Sequence, residues 1–260
     1  MIGIFLKKTC IYSVLKYFNR YHKLERITQL NIGTLMNLNI ELDISLNEKI
    51  VKSTVVNIFQ FMIEFSKKIA SAEPDIWYFC GDSQEEALEN KAFENGKPTS
   101  FFTDEYEISN IEGIWAGDDN ALVMVSNGSG SVYRLNFDLR RVVNFSFDML
   151  IDLISESVIK FNLIDIRVNT NGYSYHQRNV FPDRLPVGWM LYLNKKITQE
   201  QVPMAAQLIH IDNDKNKGTL IISTDHVFDG SNKDDIKKAN EIEIQLTALG
   251  LLPLIREIYS

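Results

Sequence analysis

The order of apolar and polar positions divides the chain, from residue 37 onward, into strands and helices. Residues 37–45 alternate between apolar and polar side chains, which predicts a strand with one buried face. Apolar residues then recur every three or four positions over residues 51–69, which predicts a helix with one face against a core. Ser45 and Glu48 have the spacing of a capping box, so we expect this helix to begin just after Ser45.

The same patterns predict further strands and two more long helices. The strands are expected at 76–80, 121–126, 131–138, 163–169, 187–194, 207–212 and 219–224. Helices are expected at 147–161 and from a cap at Ser231 to Gly250, whereas the polar residues 90–112 predict a loop. Since strands occur both in hairpins and between helices, we expect an α+β fold: a single domain with a mixed, largely antiparallel sheet covered by helices.

Charge is distributed unevenly along the chain, whose formal net charge is −7. Residues 1–35 carry six lysines and arginines against one glutamate, whereas residues 36–260 carry 33 acidic against 21 basic residues, a net charge of −12. We therefore expect residues 1–35 to be a basic N-terminal extension outside the fold, upstream of the true start codon, and residues 36–260 to form the domain. An acidic domain disfavours nucleic acid and favours basic partners, although acidity that serves solubility alone would give the same charge.

The cysteine content and the hydropathy of the chain favour a cytoplasmic protein. Cys10 and Cys80 form neither a disulfide framework nor a close metal-ligand spacing, which is typical of a reducing compartment. No run of about 18 apolar residues occurs in the sequence, so no membrane span is expected.

None of the common catalytic, nucleotide-binding or metal-binding motifs occurs in the sequence. The strongest candidate for chemistry is a group of acidic residues and one histidine around the second predicted hairpin: Asp212, Asp214, Asp225, His226 and Asp229. If the hairpin brought its two parts within about 10 Å, these carboxylates would suit a hard metal ion. A solvated hairpin tip explains the same residues. We therefore predict no catalytic residue, metal site or cofactor, and keep as the alternative a metal-dependent hydrolase that uses Asp212, Asp214, Asp225 and His226.

Four motifs, in order along the chain, resemble those of the immunity protein 52 family, whose members are bacterial antidotes in polymorphic toxin systems. The motifs are WYFCGDSQEEAL at 77–88, GIWAG at 113–117, FPDRLPVGWMLYL at 181–193 and ANEIEIQLTALGLLP at 239–253. The resemblance covers about residues 36–255. It implies a single α+β domain without catalytic activity that binds a cognate toxin. Such a toxin is typically a nuclease of the restriction-endonuclease-like class, delivered by a type VI or related secretion system.

The resemblance and the residues together predict an immunity protein that neutralises a basic nuclease domain. The shared motifs contain mainly apolar and turn residues, so we expect four of them to determine the fold: Phe181, Pro182, Gly188 and Trp189. Toxin contacts are then expected elsewhere, on exposed acidic residues of loops and hairpin tips: Asp118, Asp119, Asp212, Asp214, Asp225 and Asp229. A general protein-binding adaptor remains a further alternative.

Overall fold

The structure, a computed structural model, describes most of the chain from the first predicted strand onward. The described residues are 40–47, 51–69, 75–81, 83–107, 111–117, 121–127, 133–139 and 146–258. The predicted extension at residues 1–35 lies outside them, as do Asp118 and Asp119.

Within the described residues, eleven strands form one sheet. They are β1 (Ile40–Leu46), β2 (Ile76–Phe79), β3 (Lys91–Glu94), β4 (Lys97–Pro98), β5 (Ile111–Trp115), β6 (Ala121–Asn127), β7 (Tyr133–Leu139), β8 (Leu163–Thr170), β9 (Met190–Leu193), β10 (Gln207–Asp212) and β11 (Lys217–Ile222). The order across the sheet is β10-β11-β9-β8-β1-β7-β6-β5-β2-β3-β4. The α+β class is confirmed. All of these strand pairings are antiparallel. The sequence predicted a mixed sheet in which only most pairings are antiparallel.

The α-helices of the described residues lie on both faces of this sheet. They are α1 (Lys52–Ile69), α2 (Gln84–Glu89), α3 (Phe147–Lys160), α4 (Lys233–Ala248) and α5 (Ile255–Ile258). The larger hydrophobic core joins α1 and α3 to one face of the sheet. A smaller core joins α4 to the opposite face, over β9 and β11. Layers on both faces confirm the predicted covering by helices.

Strand β9 contributes to both hydrophobic cores. Met190 and Tyr192 belong to the larger core, whereas Leu191 and Leu193 belong to the smaller one. All four residues are buried, because β9 pairs with β8 on one side and with β11 on the other. A strand that is covered on both faces reads as a continuous apolar run, which confirms the prediction for residues 187–194.

Two predicted local structures are wrong. Residues 90–112 are not a loop, since they contain β3, β4, a π-helical turn (Phe101–Glu105) and the start of β5. Three apolar residues of this segment are fully buried, namely Ala92, Phe93 and Phe102, and they attach short strands at the edge of the sheet.

The predicted cap of α1 is also wrong. Ser45 does not cap α1, because it lies buried within β1, between β7 and β8, and α1 begins at Lys52. Glu48 lies outside the described residues.

Candidate functional site

The tryptophan of the FPDRLPVGW motif lies in the interior. Trp189 has no exposed surface, and its ring centroid is 5.9 Å from that of Phe147 on α3. Its backbone N–H donates to the carbonyl of Val168 at 3.0 Å, and its own carbonyl accepts from the hydroxyl of Ser223 at 3.0 Å. Trp189 thus connects the ends of β8 and β11 with a covering helix, and its side chain lies away from the surface of the protein.

The residue before this tryptophan must be a glycine. Gly188 has a φ of +55°, in the left-handed region, and a Cβ there would lie 2.1 Å from Oδ1 of Asn169. Any side chain would therefore be strained and would displace a buried neighbour. Phe181 is partly buried and Pro182 is exposed, so the motif runs from the surface into the core. The fold-determining role of these four residues stays a prediction.

A buried glutamate on α4 holds the segment that leads into β9. Glu243 is almost fully buried and accepts from the backbone N–H groups of Val180 at 2.7 Å and Val187 at 2.9 Å. It also accepts from the hydroxyl of Tyr173 at 3.0 Å. Burial raises the pKa of Glu243, and these hydrogen bonds oppose that shift without cancelling it. One carboxylate therefore fixes both ends of the connection between Tyr173 and Val187.

The predicted toxin contacts that the structure describes are not equally accessible. Asp212 and Asp214 are exposed at the tip of the β10–β11 hairpin, where Oδ1 of Asp212 lies 3.7 Å from Nζ of Lys217. Asp225 is exposed after β11. Asp229 is partly buried. Three of the four described aspartates can therefore meet a partner directly.

The carboxylate of Asp229 is used within the protein. It accepts from Nδ2 of Asn171 at 3.0 Å, and from the backbone N–H at 2.9 Å and the hydroxyl at 2.7 Å of Ser231. Burial alone would raise the pKa of Asp229, but these hydrogen bonds outweigh burial and lower it. Asp229 is thus better suited to holding the turn before α4 than to binding a toxin.

His226 lies between two carboxylates near the start of α4. Its Nε2 is 2.9 Å from Oδ1 of Asp235, and its Nδ1 is 3.2 Å from Oδ1 of Asp225. The bond to Asp235, followed by the bond to Asp225, raises the pKa of His226 above its ordinary value. The second oxygen of Asp235 accepts from the backbone N–H of Asp229 at 2.9 Å. The arrangement is an internal hydrogen-bond network that joins the loop after β11 to α4.

The four residues of the hydrolase alternative do not meet. Asp212 pairs with Lys217 at the hairpin tip, whereas Asp225 and His226 follow the far end of β11. At about 3.3 Å per residue, the six residues of β11 separate the two groups by roughly 20 Å. The condition for a metal site here, a hairpin that brings its two parts within about 10 Å, is therefore not met. In the part of the chain that the structure describes, no group of three or more His, Cys, Asp or Glu residues is placed to hold a metal ion.

Three exposed acidic residues that the sequence analysis did not select lie on the covering helices. Glu64 is on α1, and Asp152 and Glu156 are on α3. A signal was present in the sequence, since Asp148, Asp152 and Glu156 recur every four residues and must share one side of a helix. Glu64 lies beside Asp152 and Glu156 because α1 packs against α3. A local sequence pattern does not predict such a contact between two helices.

Comparisons with known proteins support one family. Residues 173–255 match the family model of Immunity protein 52, which confirms the resemblance over the two C-terminal motifs. The motifs at 77–88 and 113–117 lie outside the matched residues. No curated protein matches the sequence significantly. In fold, the chain is similar to a solved structure described as Pseudomonas aeruginosa T6SS protein PA0821, at 10% identity and a TM-score of 0.50, over 88% of this chain and 81% of that chain. Among the described helices, none has the length and apolar character that a membrane span requires.

Proposed function

We propose that this protein is an immunity protein that binds a cognate bacterial toxin and neutralises it without catalysis. The observation that carries the proposal is the match of residues 173–255 to the Immunity protein 52 family. The matched segment contains β9, β10, β11 and α4, together with Trp189, which is buried in the larger core, and Glu243, which holds the connection into β9. The fold similarity to a T6SS protein is consistent with delivery of the toxin by a type VI or related secretion system.

The toxin is a basic nuclease domain, encountered in the cytoplasm, where its nucleic acid substrate is present. The charge of this protein supports that choice, because residues 36–260 carry a net charge of −12 and a nuclease must present basic groups to phosphates. Acidic residues exposed at loops and hairpin tips supply the first contacts. They are Asp212, Asp214 and Asp225, with Asp118, Asp119 and Asp229 as further candidates.

Hydrogen bonds within the protein hold the backbone that carries Asp212, Asp214 and Asp225. β10 and β11 pair over six residues each, and Asn216, at the base of their turn, donates to the carbonyl of Phe161 at 2.9 Å. The loop after β11 is held by Asp235 through His226 and the N–H of Asp229. Binding groups on such a scaffold lose little conformational entropy on association, which favours tight binding.

The hydrolase alternative loses its geometric support, because Asp212 and Asp214 lie at one end of β11 and Asp225 and His226 at the other. Another buried acid, Asp165, is fully enclosed and lies 2.9 Å from Nε of Arg167. A substrate would have no access to it. Neither group resembles a working catalytic constellation, in which titratable side chains meet in one accessible cleft.

Co-expression and binding with the product of the adjacent gene test the proposal. We expect this protein to restore growth of cells that express the toxin, and the purified pair to form a complex with nanomolar or tighter affinity. A catalytically inactive toxin variant permits the binding measurement. Absence of both protection and complex, together with metal-dependent hydrolysis that Asp225→Ala abolishes, would reject the immunity function and support the hydrolase.

A further inference from the structure

A groove with an apolar floor and an acidic rim lies between α1 and α3. Its floor contains Phe61 and Phe65 of α1, and Met149 and Leu153 of α3. Phe61, Phe65 and Leu153 are buried and belong to the larger core, which makes the floor part of a packed surface. The charged residues that line the groove are Glu64, Lys68, Asp152 and Glu156.

The charges around this groove do not neutralise one another. Three carboxylates face one lysine, and within the described residues none of the three lies within ion-pair distance of a lysine or arginine. Asp148, Asp152 and Glu156 also follow one another at four-residue spacing along α3, where like charges repel and destabilise a helix. Asp148 lies in the first turn, where the helix dipole favours an acid, but Asp152 and Glu156 lie farther along the helix, and a basic partner would remove the repulsion between them.

Besides Lys68 in its lining, the groove has a second lysine beside it. The ammonium of Lys160 lies 4.6 Å from the centroid of the Phe61 ring, in a cation–π contact. Its position shows that the aromatic floor already accepts one cation at its margin. The carboxylates of Glu64, Asp152 and Glu156 line the same groove and are exposed, so they are accessible to a second cation bound over the floor.

We infer that this groove binds a basic amphipathic segment of the toxin, an inference that rests on the proposed function and names the surface that performs it. Lysine and arginine side chains suit the groove, because their hydrocarbon stems lie along apolar surface while their charged heads reach a polar rim. The stems contact Phe61, Phe65 and Leu153. The heads pair with Glu64, Asp152 and Glu156. An apolar side chain of the same segment contacts Met149, which is partly exposed.

Both walls of the groove are held by the core of the domain, so the site exists before the partner arrives. On α1, Ile58, Phe59 and Met62 are buried against the sheet, and on α3, Ile154 and Val158 are buried in the same core. Rigid helices hold the rim carboxylates at fixed spacing. The hairpin acids Asp212 and Asp214, in contrast, are exposed at a hairpin tip and act in the proposed function as charges that attract a partner at long range.

Two triple variants with the same change in net charge test the inference. The groove variant is Glu64→Gln, Asp152→Asn and Glu156→Gln. The control variant is Glu89→Gln, Glu105→Gln and Asp183→Asn, three exposed acids outside the groove and outside the other proposed contacts. Circular dichroism and urea unfolding first establish that both variants fold. The probe is the inactive toxin encoded by the adjacent gene, with binding measured by isothermal titration calorimetry and stopped flow.

We expect the groove variant to bind the toxin about tenfold or more weakly than the unchanged protein, and the control variant to change affinity by less than about threefold. If the unchanged protein forms the complex and both variants bind alike, the groove inference is wrong and the immunity function stands. If the unchanged protein forms no complex, the proposed function fails, and the groove inference fails with it.

Carbodiimide cross-linking separates the toxin from other occupants. The reagent joins a carboxylate to an amine only when the two are in direct contact. Links from Glu64, Asp152 or Glu156 to lysines of the toxin support the inference. Links from the same residues to lysines of residues 1–35, or to a second copy of this chain, that persist when toxin is added would overturn it.

Discussion

Oε1 of Glu243 accepts a hydrogen bond from the backbone N–H of Val187 at 2.9 Å, which joins α4 to the chain entering β9. The same oxygen accepts from the hydroxyl of Tyr173, and Oε2 accepts from the N–H of Val180. A single buried carboxylate therefore satisfies three donors in a connection that contains much of the family motif. Loss of these acceptors should lower the free energy of unfolding more than loss of the charge alone, because unpaired buried donors carry the full cost of their desolvation.

We expect Glu243→Gln to lower the free energy of unfolding by about 1–3 kcal/mol and Glu243→Leu to lower it further. The amide retains one oxygen for Val187 and Tyr173 but presents an NH₂ group to the N–H of Val180. Leucine leaves the N–H groups of Val180 and Val187 unpaired, whereas the Tyr173 hydroxyl keeps Oδ1 of Asn240 as an acceptor at 3.0 Å. Urea unfolding measures the two changes, and Glu241→Gln on the exposed side of the same helix serves as the control. Equal stability of the unchanged protein and the leucine variant would show that the connection is held by other contacts.

Truncation of Trp189 tests whether the family motif determines the fold or the interface. Since its ring is fully buried against Phe147, we expect Trp189→Ala to cost about 3–5 kcal/mol, as large core truncations do. Protection against the toxin should fall in proportion to the amount of folded protein. A variant that keeps its melting temperature and loses toxin binding would instead make Trp189 a contact residue.

Much of the fold follows from local sequence signals, and the failures have identifiable physical causes. The apolar run at β9 and the glycine that ends α4 were predicted correctly, because burial on both faces and a positive φ leave direct traces in the sequence. The β3–β4 hairpin was missed although Asn95 and Gly96, both at positive φ, form a common hairpin turn. The surrounding polar residues obscured that signal, since edge strands expose most of their side chains.

The candidate site was less predictable than the fold, because it depends on distances between segments far apart in sequence. Exposure of Asp212 and Asp214 followed from their position in a turn. The contact of His226 with Asp235 depends on how α4 packs against the loop after β11. The prediction that Ser231 caps α4 is wrong, because the cap is Asn232, whose side chain accepts from the N–H of Asp234. The groove between α1 and α3 likewise exists only after the helices pack side by side.

Removal of residues 1–35 tests the predicted domain boundary. The six basic residues of this segment contrast with an acidic domain, and the first strand of the described residues, β1, begins at Ile40. We expect a chain that starts at Met36 to keep the melting temperature of the full chain and to protect cells equally well. Thermal unfolding and a toxin co-expression assay measure both properties. Reduced solubility or protection would show that the basic segment belongs to the functional protein.

The stability of the protein should depend on the protonation of His226. Its pKa is raised in the folded state, so the contribution of its bonds to Asp235 and Asp225 is fully present below the ordinary histidine pKa of about 6.5 and is lost as the pH rises through the folded value. The difference in unfolding free energy between the unchanged protein and His226→Gln should therefore shrink as the pH rises above about 6.5. We expect a small change, because 52% of the His226 side chain is exposed and solvent screens the pair. A difference that stays constant with pH would mean that the histidine is held by packing alone.

The net charge of −12 on residues 36–260 predicts that the toxin associates under electrostatic attraction. Raising the ionic strength, so that the screening length shrinks from about 30 Å to about 8 Å, should lower the association rate about tenfold or more. The dissociation rate should change less, because it depends on short-range contacts once the complex has formed.

The exposed aspartates of the hairpin tip and of the loop after β11 test the same attraction. Each of them contributes only about 0–1 kcal/mol to binding, so the informative variant combines Asp212→Asn, Asp214→Asn and Asp225→Asn. In stopped-flow measurements across a salt series, this variant should associate more slowly at low salt and approach the unchanged protein at high salt. An association rate that is independent of salt would remove electrostatic attraction from the account and leave a toxin complex that forms through shape and apolar contact.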